Sequence, residues 1–108
     1  MMAVDILNAE ISDDLKPEIN GGLVMYPASA LERVFSWADS VGRTIEWIEG
    51  VFYAPESQKG QFNLDYIAER GDGDYEHFRR LCFRLASEIQ TAAASRGMGG
   101  YFEIGISD

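Results

Sequence analysis

From residue 75 to residue 96 the apolar side chains Phe78, Leu81, Cys82, Leu85, Ile89 and Ala92 recur at helical spacing over about five turns. That stripe predicts one long amphipathic helix over 75–96, which has to bury its apolar side against another element. Asp74 stands where an N-cap belongs, and Gly97 falls where the helix has to stop. Beyond Gly97 the period changes. Phe102, Ile104 and Ile106 fall on alternate positions of 101–106, the signature of a strand with one buried face.

The rest of the chain repeats this pairing of helix and strand. Leu31, Val34, Phe35, Ala38 and Val41 form a second helical stripe, Ser29 and Glu32 have the spacing of a capping box, and Gly42 suits a left-handed C-terminal position. A helix is predicted over 30–41. Residues 43–53 are rich in β-branched and aromatic side chains, and read either as one long strand or as a tight hairpin turning at Glu49-Gly50. Phe62, Leu64 and Tyr66 alternate with Asn63 and Asp65 as a half-buried strand. Residues 3–11 suit a strand better than a helix, 12–22 read as loop and turn around Pro17 and two glycines, and 23–26 is a short strand stopping at Pro27. The expected fold is therefore α+β: a mixed or antiparallel sheet of about 4–6 strands, with the helices over 30–41 and 75–96 packed on one face. With 108 residues the chain is long enough for one core and too short for two, so 1–108 is expected to be a single domain.

Eighteen acidic residues against nine basic ones give a formal charge of −9. Such a field repels phosphate backbones and anionic lipid, which argues against direct nucleic-acid and membrane binding, and it speeds encounter with basic protein surfaces. The start of the sequence lacks a basic, apolar leader pattern, and no run approaches the roughly 18 apolar residues of a membrane span. A single cysteine cannot form an internal disulfide. A cytoplasmic protein with a reduced thiol is expected.

Motifs for chemistry are sparse. His77 is the sole histidine and lies off the apolar stripe of its helix, while Cys82 sits within that stripe as a small hydrophobe. Asp65, Glu69, Asp72 and Asp74 gather carboxylates near glycines without the spacing of a calcium loop, so a solvated turn with an N-cap is the reading. No catalytic residue, cofactor site or metal site is assigned.

Charge distribution says more. Eight carboxylates, Glu46, Glu49, Glu56, Asp65, Glu69, Asp72, Asp74 and Glu76, face only Lys59 and Arg70 within 46–76, whereas Arg79, Arg80 and Arg84 make the second helix locally basic. Acids interspersed with aromatics suit docking onto a basic partner, because the aromatics anchor and the acids steer. The candidate partner-binding residues are Glu46, Trp47, Glu49, Tyr53, Asp65, Glu69, Asp72, Asp74 and Glu76. The expected function is non-enzymatic: occupying a basic surface, such as a nucleic-acid groove, of a larger protein. In gross character the chain resembles inhibitors of that kind, among them nuclease-toxin immunity proteins and anti-CRISPRs. Two rival readings stand beside it. One is a self-associating domain pairing through an apolar helix face or an exposed strand, with 101–106 as the candidate edge, and the other a small ligand-binding domain or enzyme with a pocket lined by Trp47, Tyr66 and His77.

Overall fold

In the computed structural model, which describes residues 4–6, 18–20, 23–57, 59–71 and 73–107, the chain runs as β1 (Val4–Ile6), β2 (Glu18–Asn20), β3 (Leu23–Pro27), a 3-10 turn (Ala28–Ala30), α1 (Leu31–Ser40), β4 (Ile45–Ala54), β5 (Lys59–Glu69), α2 (Tyr75–Ala94) and β6 (Gly99–Ser107). Among the described residues every strand pairing is antiparallel, and the sheet order is β2-β3-β6-β4-β5. β6 is central. It pairs with β4 along one side, and along the other with β3 near Tyr101 and Phe102 and with β1 near Gly105 to Ser107. The C-terminal strand is therefore not an edge open to a second copy, and the self-association reading loses the strand it named.

One face of this sheet carries the helices. Ile45, Ile48 and Phe52 of β4 and Phe102, Ile104 and Ile106 of β6 pack there with Leu31, Val34 and Phe35 of α1 and Phe78, Cys82, Leu85 and Ile89 of α2, all of them buried. Burying each large apolar side chain of this kind stabilises by about 1.5–3 kcal/mol. Phe35 is a hub, with the rings of Tyr75, Phe78 and Phe83 at 5.4–6.3 Å from it. The α2 stripe is turned slightly from the predicted one: Ala86 and Ala93 are buried, while Leu81 and Ala92 lie at the margin.

Several local expectations are corrected. The capping box does not form, because the 3-10 turn after Pro27 takes up Ser29 and leaves Ala30, one residue later, at the cap of α1 without a side-chain bond. Val41 drops out of the α1 stripe and is 51% exposed beyond the helix end. Of the two readings of 43–53, the single long strand is the one found: β4 passes straight through Glu49-Gly50, hydrogen-bonded to β5 and β6 on its two sides. β2 occupies 18–20, part of the predicted loop, since its backbone is paired with β3 from Glu18 opposite Met25 to Asn20 opposite Leu23. Of the strand expected over 3–11, Val4–Ile6 is found, and 3 and 7–11 lie outside the described residues.

Both helix stops are as predicted. Gly42 has φ +71°, with its amide donating to Asp39 O and that of Arg43 to Ala38 O, and Gly97 with φ +69° ends α2 through the equivalent pair of bonds. Gly42→Ala is expected to cost about 1 kcal/mol, because the left-handed conformation crowds a β-carbon although no neighbour lies within reach. Urea unfolding of the variant checks this; an unchanged midpoint would contradict it.

Candidate functional site

The face of the sheet turned away from the helices is arranged by two irregularities in the pairing of β4 with its neighbours. Between Ile45 opposite Ile106 and Trp47 opposite Gly105, β4 has one residue more than β6; on its other side, Glu49 pairs with Ile67 but Gly50 with Asn63, so residues 64–66 of β5 are extra. Such bulges re-aim side chains. The first keeps both Ile45 and Ile48 on the helix side and sends Trp47 and Glu49 to the other. Directly opposed residues share a face. One row across the sheet is consequently Glu69, Trp47, Gly105, and the next is Ile67, Glu49, Glu103.

Gly105 has no side chain because the Trp47 indole lies where a β-carbon would be. Beside the indole is a cleft of about 240 Å³ lined by Trp47, Ile48, Glu49, Ile67 and Glu69. Ile67 is 37% exposed at its edge, one of two exposed large hydrophobic side chains among the described residues. Glu49 and Glu103 face each other across the strand pair, and the Glu103 carboxyl is raised above its ordinary range, by partial burial first and by the Glu49 charge second. Among the described residues no cation is placed against Glu49, Glu69 or Glu103.

The nine residues singled out from the sequence thus separate. Trp47, Glu49 and Glu69 come together. Glu46, the extra residue of the first bulge, is drawn off to the sheet end, where its Oε2 accepts from Thr44 Oγ1 at 2.7 Å and from Arg70 Nη1 at 2.9 Å. Arg70 in turn stacks on Tyr75, whose hydroxyl accepts from the Ile45 amide at 3.0 Å, so Glu46 serves the fold. Tyr53 is on the same face as Trp47 but only 2% exposed. It packs with Met25 and Val51 and meets Tyr101 edge-on at 5.6 Å, which makes it a core side chain and not an exposed anchor. Asp74 caps α2 by accepting from the Glu76 amide at 3.0 Å. Glu76 lies 3.9 Å from Arg79, and Arg79 also holds Asp39 with two bonds of 2.8–2.9 Å. Asp65 is exposed on the extra residues of β5, and Asp72 lies outside the described residues.

Sequence reasoning missed Glu103, Ile67 and Gly105. Glu103 was legible as the solvent-side residue between Phe102 and Ile104, but its position opposite Glu49 depends on pairing across more than fifty residues. The pocket of Trp47, Tyr66 and His77 does not exist, since the sheet separates Trp47 from Tyr66. The Tyr66 ring packs 6.0 Å from Phe52 on the helix face, and His77 is exposed on α2 beside Arg80 and Arg84. Cys82 is fully buried and its thiol is pushed up to about 12 by desolvation, which removes the thiolate a nucleophile needs. Among the described residues no group of three or more potential ligands converges on a metal position, and no helix is long and apolar enough to cross a membrane.

Comparison with known protein families, with characterised proteins and with solved structures returns no match for this chain.

Proposed function

We propose that this chain is a non-enzymatic binding protein that lays the part of the sheet face opposite α1 and α2 that carries Trp47, Glu49, Ile67, Glu69 and Glu103 onto a basic surface of a larger protein. The observation that carries the reading is the Glu49–Glu103 pair. Like charges directly opposed in an antiparallel sheet cost about 0.2–1 kcal/mol, and departures from local rules of this kind collect at functional sites. A cationic partner turns the repulsion into attraction. The adjacent indole and the exposed isoleucine supply contact area of the sort that anchors interfaces. A protein of this character suits the inhibition of nucleic-acid-handling enzymes, whose grooves are positive, as toxin-immunity and anti-defence proteins do. The expected setting is the cytoplasm.

Affinity capture from host lysate tests the reading, with the wild-type chain and Glu49→Lys/Glu103→Lys compared at low and high salt. A basic protein retained by the wild type at low salt, and lost both at high salt and to the double variant, is the expected result. Equal retention by the variant, or retention indifferent to salt, would sink the claim.

A further inference from the structure

The four side chains around the cleft form a two-by-two arrangement: Trp47 and Glu69 in one row, Glu49 and Ile67 in the next. Opposed residues in such a sheet stand about 4.5–5.5 Å apart, and successive rows on one face about 6.8 Å. An aromatic wall and a carboxylate therefore meet an aliphatic wall and a second carboxylate, diagonally placed, across a space of about 240 Å³. That combination asks for a group with an apolar stem and a flat cationic head.

A second observation points the same way. Elsewhere the chain repeatedly sets guanidinium groups over rings: Arg43 over Trp37 at 6.0 Å, Arg70 over Tyr75 at 5.2 Å, Arg79 over Phe35 at 5.1 Å and Arg96 over Phe52 at 5.1 Å. Of the two tryptophans, Trp37 thus carries a cation, while among the described residues Trp47 carries none although two carboxylates flank it.

Resting on the proposed partner reading, we infer that the cleft between Trp47 and Ile67 receives the side chain of one arginine from that partner. The guanidinium stacks on the Trp47 indole and donates to Glu49 and Glu69, while the methylene stem lies along Ile67. Arginine is favoured over lysine because its head is planar, more weakly hydrated, and forked to match carboxylates, whereas an ammonium is a compact and strongly hydrated point charge.

The test needs no partner. Nα-acetyl-arginine methylamide is titrated into the ¹⁵N-labelled protein while the indole N–H signal of Trp47 is followed, that signal being assigned by its absence from Trp47→Phe. Nα-acetyl-citrulline methylamide, equal in shape but uncharged, and Nα-acetyl-lysine methylamide run in parallel. A saturable shift with the arginine probe is expected, absent with citrulline, weaker with lysine, and weakened about tenfold or more in Glu49→Gln/Glu69→Gln, where two charge-assisted bonds become neutral. No saturable shift, an equal response to citrulline, or tighter binding of lysine would each overturn the assignment. Its failure is distinguishable from that of the broader reading. Salt-sensitive capture without probe binding removes the arginine cleft alone, and probe binding without capture leaves the cleft standing while removing the protein partner.

Discussion

Gly50→Ala is expected to destabilise the fold by about 3 kcal/mol, the upper end for one added methyl group in a packed interior. A β-carbon at Gly50 would come within 2.8 Å of Ile89 Cδ1 on α2 and closer still to Tyr66 Cβ. The Cδ1 atom is the far end of a side chain and can turn aside at modest cost. A Cβ atom cannot, because it is fixed to the backbone, so β5 itself must move away from β4. Gly50 is thus the position that admits the extra residues 64–66 and lets Tyr66 cross β4 on the helix side. Chemical denaturation of the variant and of Gly50→Ala/Ile89→Val gives the measure: the second substitution should recover only a minor part of the loss. A Gly50→Ala protein as stable as the wild type would mean that β5 does not lie against β4 in this register. The consequence reaches function, because the same register sets Ile67 opposite Glu49 and Glu69 opposite Trp47 and so builds the cleft.

That dependence explains what could be read from the sequence and what could not. Asp74 as cap, Gly42 and Gly97 as stops, and Phe102, Ile104 and Ile106 as one buried face were legible because each is decided within a few residues by sterics or hydrogen bonding. Gly50 left strand and hairpin both open, since a glycine in a β-rich run signals a turn as readily as a close approach, and the Tyr66 and Ile89 contacts that decide between them come from elsewhere in the chain. Ser29 misled because Pro27 starts a 3-10 turn two residues before the cap that its spacing suggested. For the site, composition pointed to the acidic stretch over 46–76 but treated its members alike. Register then decides: Glu49 and Glu69 join the distant Glu103, Glu46 is neutralised by Arg70, and Tyr53 is enclosed with Val51 and Met25.

Charge changes at the opposed pair are expected to move binding and stability in opposite directions. Reversal of the whole patch in Glu49→Lys/Glu69→Lys/Glu103→Lys should slow association with a basic partner by about 100-fold at low salt, within the 10–10³ range through which electrostatic steering acts, and the difference should shrink as salt rises. Neutralising the pair in Glu49→Gln/Glu103→Gln should slow association less, while stabilising the fold at neutral pH by about 0.2–1 kcal/mol, the cost of opposed like charges in a sheet. The pH dependence comes from Glu103. Its carboxyl holds its proton more tightly folded than unfolded, because burial and the Glu49 charge disfavour ionisation. The stability linked to that proton is fully present below the ordinary value of 4.5 and is lost as pH rises through the raised one. Relative to the wild type, Glu103→Gln should therefore gain stability across the window just above 4.5 and keep the gain at higher pH, as denaturation midpoints taken across that range would record. A variant that folds more tightly yet binds more slowly cannot owe its lost binding to unfolding. Conversely, unchanged association after neutralisation and reversal would leave Glu49 and Glu103 as an uncompensated defect of the sheet and dismiss this face as the docking surface.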